Sequence, residues 1–151
     1  MSLYEKIESD IKTALKAGDA PRRSVLVMLK SAVKNKAIEK KEREIAPSDQ
    51  MVLDVVSLEV KRHKDSIAQY ETAGRADVAA QEKTELAILM EYMPAQLSEE
   101  KITELVEEAI AAVKPQSEKD FGKVMAVLAP SIKGRADGAV VSKIVKQKLL
   151  G

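Results

Sequence analysis

The chain has 151 residues, of which 45% are hydrophobic and 32% are charged, and its formal net charge is +1 at pH 7. This apolar content excludes a disordered chain, and the length allows one ordinary domain or a modest domain with a smaller helical appendage. The absence of cysteine excludes disulfides, thiolate nucleophiles and Cys-ligated metal centres.

The beginning of the chain carries charges every few residues and lacks the apolar run of a secretory signal. No segment approaches the roughly 20 apolar residues of a membrane-spanning helix. We therefore expect a cytoplasmic location and no membrane partner.

The first predicted helix covers about residues 3–16. Ser2 and Glu5 have the spacing of a capping box, and Gly18 is a plausible end. Its apolar face repeats every four residues as Leu3, Ile7, Ile11 and Leu15.

The second predicted helix is capped by Asp19, has Pro21 in its first turn and reaches about Glu44. Helical spacing places one wide apolar face on it, formed by Val25, Leu26, Met28, Leu29, Ala32 and Val33.

Two further helices complete the N-terminal part. The break at 45–48 starts the third helix, which Gly74 ends. The fourth helix must finish at Tyr92 or Met93, because Pro94 disfavours the helical conformation in the residue before it.

The C-terminal part is predicted to hold three helices after a boundary at 94–98. Ser98 caps the fifth helix, Ser117 caps the sixth, which Pro130 terminates, and Asp137 caps the seventh.

No segment has the alternating polarity of a strand, so we predict an all-α fold. About four helices form long-helix hairpins in an N-terminal helical domain, 1–94. A small three-helix domain follows, 95–151.

Charge is distributed unevenly along the chain. Residues 22–43 hold eight basic and two acidic side chains, a net charge of +6. Residues 114–151 hold eight basic and three acidic side chains, a net charge of +5, whereas 99–108 is rich in Glu. Each basic run is either a solvated helix face or a surface for a polyanion.

No nucleophile, nucleotide-binding or metalloprotease motif occurs. The one histidine, His63, has basic neighbours and is expected to be a solvated side chain rather than a general base. Glu82 with Glu85, or Glu104 with Glu108, could be paired carboxylates, but a solvated face is the favoured interpretation.

The string Gly-Arg-Ala-Asp occurs twice, at 74–77 and at 134–137. In each copy Gly can adopt the left-handed conformation, Asp can cap the next helix, and Arg is left near that helix N-terminus. Such a corner either holds an anion or is only an efficient turn. The second copy differs because Lys133 precedes it and further lysines lie in its helices.

A basic helical surface supplies phosphate contacts, while the shortage of aromatic residues argues against stacking of unpaired bases. We therefore expect any bound nucleic acid to be folded RNA recognised by shape, and no DNA.

Four segments together resemble a known family: MSLYEKIESDIKTALKAGD, EVKRHKDSIAQYETAGRADVAAQEKTELAIL, EYMPAQLSEE and DFGKVMAVLAPSIKGRADGAVVSKIVKQKL. In order and spacing they look like the YqeY family. The C-terminal part of that family is similar to the tail domain of the GatB subunit of the transfer-RNA-dependent amidotransferases.

The resemblance implies which residues contact RNA. Among the matching positions, Lys123, Lys133 and Arg135 are expected to touch phosphate. Lys143 and Lys146 of the last helix join them as RNA-binding candidates. The structural signature, which suits packing and capping, consists of Gly122, Met125, Gly134, Asp137 and Gly138.

In the amidotransferase, glutamine hydrolysis and amide transfer occur on other domains and subunits. The resemblance therefore implies an accessory tRNA-binding module that assists tRNA-dependent amidation, with tRNA and an amidotransferase or another translation-related protein as partners. Carbon–nitrogen ligase activity with glutamine as amido-N-donor is implied by the family only. We expect no catalysis by the chain alone, and no cofactor or metal. The alternative is a non-enzymatic protein-interaction adaptor.

Overall fold

The computed structural model describes residues 1–42 and 45–150. This part of the chain folds into α-helices and one short 3₁₀ turn and has no β-strand, so the predicted all-α class is confirmed. The helices are α1 (Leu3–Ala17), α2 (Ala20–Glu39), α3 (Asp49–Thr72), α4 (Ala76–Met90), α5 (Glu99–Val113), α6 (Phe121–Ile132) and α7 (Gly138–Leu150).

The chain divides into two compact units, an N-terminal unit (Met1–Met93) with α1 to α4 and a C-terminal unit (Pro94–Gly151) with α5 to α7. Within the described residues no helix is both long and apolar enough to cross a membrane. Whether each unit folds as a domain of its own stays a prediction.

The predicted start of α1 and the predicted boundary between α1 and α2 are both confirmed. Ser2 Oγ accepts the N–H of Glu5, and the Glu5 carboxylate accepts the N–H of Ser2. Gly18 ends α1 in the left-handed conformation with φ 70°, and the Asp19 carboxylate then accepts the N–H of Arg22 at the start of α2. Local chemistry therefore fixes this corner.

Several predictions for α1 and α2 are wrong. Leu15 is 61% exposed and Met28 is 43% exposed, because the face that packs in the core is narrower than the apolar pattern. The helix α2 ends at Glu39, where the Lys40 N–H bonds to Lys36, and the predicted last residue, Glu44, lies outside the described residues.

The helix α3 begins at the predicted place, since Ser48 Oγ accepts the N–H of Met51. The helix α4 ends at Met90, two residues before the earlier of its predicted ends. The N–H of Tyr92 bonds to the Leu89 carbonyl three residues back, so a tighter turn replaces the last helical turn before the proline.

The core of the N-terminal unit is built almost entirely from aliphatic side chains, with Tyr92 as its one aromatic member among the described residues. Its buried residues include Ile7, Val25, Leu26, Leu29, Val33, Val52, Val55, Val56, Val60, Ile88, Leu89 and Tyr92.

In the C-terminal unit, Ser98 caps α5 by accepting the Lys101 N–H, as predicted. Ser117 caps the 3₁₀ turn that leads into α6, rather than α6 itself. The expectation that Pro130 ends α6 is wrong, because the helix continues to Ile132. Proline removes one backbone N–H, but burial of Ile132 in the core holds the last turn in place.

The C-terminal unit has its own core, which shares no residue with that of the N-terminal unit. Its buried residues are Ile102, Val106, Ala109, Val124, Leu128, Ile132, Val141, Ile144 and Val145.

Candidate nucleic-acid interface

The two Gly-Arg-Ala-Asp turns share one backbone feature. Gly74 has φ 73° and Gly134 has φ 72°, so both adopt the left-handed conformation that the sequence predicts. The N–H of Arg75 then bonds to the Tyr70 carbonyl at 2.8 Å. The N–H of Arg135 bonds to the Ile132 carbonyl at 2.9 Å.

The aspartates of the two turns play different roles. Asp137 caps α7 as predicted, since its carboxylate accepts the Ala139 N–H at 2.9 Å and its carbonyl accepts that of Val141 at 3.1 Å. Asp77 is not a cap: α4 begins at Ala76, which places Asp77 inside the first turn. The predicted cap is therefore wrong for the first copy, because that helix begins earlier within the tetrapeptide.

The arginines differ as well. In the first copy Arg75 Nε lies 3.4 Å from the carboxylate of Asp77. In the second copy Asp137 is engaged in capping, and Arg135, which is exposed, makes no ion pair with any residue that the structure describes. An unneutralised guanidinium therefore stands at the entrance to α7 in the second copy alone.

Hydrogen bonds from the start of the C-terminal unit anchor the second turn. The Leu97 N–H bonds to the Arg135 carbonyl at 2.8 Å, and the Gln96 amide donates to the Gly134 carbonyl at 3.0 Å. These two hydrogen bonds therefore fix the carbonyl groups of Gly134 and Arg135, next to the guanidinium.

The candidate lysines lie on both helices of the α6–α7 pair. Lys123 is in the first turn of α6, 3.5 Å from Asp120. The Lys146 ammonium lies 5.6 Å from the centre of the Phe121 ring, at the same end of α6. Lys143 is exposed one turn before Lys146 on α7.

The candidates therefore form two groups rather than one pocket. Lys133 and Arg135 both lie within the turn between α6 and α7, on either side of Gly134. Lys123 lies ten residues before Lys133, which is about 15 Å along a helix axis. Lys133 and Arg135 therefore lie just before α7, while Lys123 and Lys146 lie near the first residue of α6.

Two signature glycines do not have the predicted packing role, since a side chain at Gly122 or Gly138 would meet nothing within 4 Å. Gly122 is exposed in the first turn of α6, Met125 is half-buried against the core of the C-terminal unit, and Gly138 is the first residue of α7.

A second polar cluster lies between α3 and α4, where the sequence predicts solvated side chains. His63 is only 7% exposed, with Nδ1 2.8 Å from the Glu59 carbonyl and Nε2 3.0 Å from Glu85 and 3.7 Å from Glu82. Burial alone would lower the pKa of His63, but the Glu59 carbonyl and the two carboxylates outweigh it and raise that pKa above its ordinary value.

The solvated assignments of His63, Glu82 and Glu85 are therefore wrong. The sequence neighbours of His63 are exposed on other faces of the helix: Lys61, Arg62 and Lys64. Their charge therefore does not predict whether the face that carries His63 is exposed. The available signal was helical spacing: His63 lies three residues after Val60 and four before Ile67, both of which are buried.

A third polar contact joins α1 to the end of α4. The buried Tyr92 hydroxyl donates to the Asp10 carboxylate, which also accepts from the Lys6 ammonium at 2.9 Å. Burial alone would raise the pKa of Asp10, but these two hydrogen bonds outweigh it and hold the pKa below its ordinary value.

The described part of the chain is thus an all-helical protein of two compact units, and the C-terminal unit carries the turn with Lys133 and Arg135. A family model described as Yqey-like protein matches residues 4–149. The chain therefore belongs to the YqeY-like family, which confirms the resemblance.

Relatives in yeasts share one name, "Altered inheritance of mitochondria protein 41, mitochondrial". The Kluyveromyces lactis protein is 29% identical over 149 residues, which cover 93% of this chain and 79% of that protein. The Saccharomyces cerevisiae protein is 30% identical over 87 residues, covering 58% and 46% respectively. The Vanderwaltozyma polyspora protein is 30% identical over 97 residues, covering 61% and 51%. The matched part thus spans about half the length of the last two relatives.

These relatives contradict the expected cytoplasmic location, because their names describe them as mitochondrial. The expectation was based on the absence of the apolar run of a secretory signal and of a membrane-spanning segment. Neither feature distinguishes the cytoplasm from an organelle interior, so that inference was wrong.

Proposed function

We propose that the chain binds structured RNA, with transfer RNA as the candidate, through the basic side chains of the C-terminal unit. The observation that carries the proposal is the difference between Arg75 and Arg135. The same tetrapeptide neutralises the first arginine with its own aspartate, whereas capping engages the second aspartate and leaves Arg135 without a described ionic partner.

The separation of the basic groups supports an extended polyanion as ligand. Lys123 and Lys133 are about 15 Å apart along α6, a span that suits several phosphates of one RNA better than one small anion. Phosphate would compete with Asp120, 3.5 Å away, for the ammonium of Lys123. The exposed Lys143 lies on α7 between the two ends. Among the described residues Tyr70, at 37%, is the one exposed aromatic side chain, which suits an RNA recognised by shape rather than by base stacking.

The test is filter binding of the full chain to transfer RNA across a salt series. Affinity should fall with salt, and Arg135→Ala should make the slope of log K against log salt shallower by about one unit. Arg75→Ala is the matched control, since it removes an arginine from the identical tetrapeptide and should leave the slope unchanged. Absent or salt-independent binding, or equal effects of the two variants, would remove the proposal.

The proposed role is accessory to tRNA-dependent amidation, by analogy with the GatB tail. The chain would hold the RNA while a separate enzyme performs the carbon–nitrogen ligation. Purified chain alone should release no ammonia from glutamine, and measurable release would overturn this division of labour.

A protein-interaction adaptor is the second candidate, favoured by exposed apolar side chains on the basic helix α2. Val27 is 40% exposed and Met28 is 43% exposed, and both lie within the 22–43 segment of net charge +6. An acidic protein partner would satisfy both features. Capture of such a partner that survives ribonuclease treatment and is lost in Met28→Lys favours the adaptor; capture that ribonuclease abolishes favours RNA.

A further inference from the structure

One cluster of the N-terminal unit brings the atoms that ligate metals together. His63 Nε2 and one carboxylate oxygen each of Glu82 and Glu85 all lie within 4.8 Å of one another. The distances from Nε2 are 3.0 Å to Glu85 and 3.7 Å to Glu82. A tetrahedral zinc ion with bonds of about 2.0–2.1 Å separates its ligand atoms by about 3.4 Å. Small side-chain rotations therefore convert this cluster into three ligands of one ion.

The tautomer of His63 determines what Nε2 can do. Nδ1 lies 2.8 Å from the Glu59 carbonyl oxygen, and a carbonyl only accepts, so Nδ1 carries the proton of the neutral ring. In that neutral ring Nε2 presents a lone pair to two carboxylates, which is a repulsive arrangement. A proton shared between Nε2 and a carboxylate, or a metal ion bound by all three groups, removes that repulsion.

Charge balance favours the metal ion. Neither Glu82 nor Glu85 pairs with a lysine or arginine in the described part of the chain, and His63 contacts both of them. One imidazolium would leave the cluster with a net charge of about −1, whereas a divalent cation with a neutral imidazole brings it to zero. Since the side chains of Glu82 and Glu85 are only 25% and 28% exposed, residual charge is incompletely solvated.

We propose that His63, Glu82 and Glu85 bind a divalent transition-metal ion that joins α3 to α4. One imidazole and two carboxylates suit zinc or manganese, and three protein ligands leave a position for water. The hydrogen bond from Nδ1 to the Glu59 carbonyl orients the ring in the way typical of metal-bound histidines. The partly exposed carboxylates provide the path of entry.

The test uses the full chain without a histidine tag, stripped with a chelator and titrated with Zn²⁺ in a calorimeter. The chain has one histidine and no cysteine, so no other imidazole or thiolate competes for the ion. We expect one ion per chain and a rise in the melting temperature. Glu82→Gln keeps the side-chain shape and should weaken binding tenfold or more, about the loss seen even for supporting residues of metal sites.

The matched control is Glu71→Gln. The Glu71 carboxylate also joins α3 to α4, through a 2.6 Å ion pair with Lys83, but lies outside the cluster. This variant should bind Zn²⁺ as tightly as the unaltered chain. Equal loss of affinity in the two variants would overturn the proposal.

A second measurement does not depend on substituting the buried histidine. Nitrogen-15 spectra report on a single imidazole, whose Nδ1 should stay protonated while the Nε2 resonance shifts on addition of one equivalent of Zn²⁺. A ring that keeps protons on both nitrogens in the presence of Zn²⁺ is an imidazolium paired with Glu85, and that result also overturns the proposal.

Discussion

The two units of the chain use their polar residues in different ways. The N-terminal unit encloses polar side chains: His63 is buried between α3 and α4, and the buried Tyr92 hydroxyl contacts Asp10. In the described part of the C-terminal unit the buried residues are apolar, and the candidate basic residues are exposed. Loss of an enclosed polar contact should therefore lower the stability of the first unit, whereas substitution of an exposed candidate lysine or arginine in the second unit should change ligand binding at little cost in stability.

The largest expected effect tests whether the units are separate. Leu26 and Leu128 are buried in different cores, and truncation of a buried leucine to alanine costs about 2–5 kcal/mol. Leu26→Ala should reduce hydrogen-exchange protection by that amount in 1–93 alone, and Leu128→Ala in 94–151 alone. A loss that spreads over both ranges in either variant would mean that the chain unfolds as one cooperative unit.

The next effect concerns the polar interior of the N-terminal unit. Tyr92→Phe removes the hydroxyl that donates to Asp10, and hydrogen bonds to charged groups contribute about 1.5–3 kcal/mol. Urea unfolding should show a lower midpoint with an unchanged slope. Tyr70→Phe is the control. Tyr70 is 37% exposed, and removal of its hydroxyl should lower the free energy of unfolding by less than about 0.5 kcal/mol. Equal costs would show that the buried contact adds nothing.

The helices could be predicted from sequence because their ends depend on local chemistry. Ser2, Gly18, Asp19 and Ser98 each take the predicted capping or terminating role, since the groups that they satisfy lie within a few residues.

The candidate sites could be predicted only in part, because they depend on which helices meet. The cluster at His63 takes its side chains from two helices, and its nearest members in sequence from the two helices, His63 and Glu82, are 19 residues apart. The residues around His63 therefore do not indicate that Glu82 is its neighbour. The two turns show the same limit. The left-handed glycine follows from the tetrapeptide, but the residue at which the next helix begins does not, and that residue decides whether aspartate caps or pairs with arginine.

A third prediction sharpens the contrast between the turns. Asp137→Ala removes the carboxylate that caps α7 and should cost about 1 kcal/mol. Asp77→Ala removes a carboxylate that is 74% exposed and caps nothing, so its cost should stay below about 0.5 kcal/mol. Urea unfolding of both variants checks the difference. Equal costs would mean that the two aspartates have the same role despite their different geometry.

The smallest effect is a pH dependence confined to the N-terminal unit. The pKa of Asp10 is lower in the folded chain than its ordinary value of 3.8, so ionised Asp10 favours folding. That contribution is present above the ordinary pKa and is lost as the pH falls through the lower, folded value. Because the Asp10 side chain is 33% exposed, solvent screening keeps the contribution small.

Asp10→Asn isolates this contribution, since the amide oxygen can still accept from Tyr92 but does not titrate. The stability difference between Asp10→Asn and the unaltered chain should be greatest near neutral pH and should shrink as the pH falls from about 5 to about 2, measured by urea unfolding at each pH. Other carboxylates titrate in both proteins and cancel in the difference. A difference that stays constant over this range would show that the Tyr92 and Lys6 contacts do not lower the pKa of Asp10. The contact between Tyr92 and Asp10 would then contribute no stability that depends on the charge of Asp10.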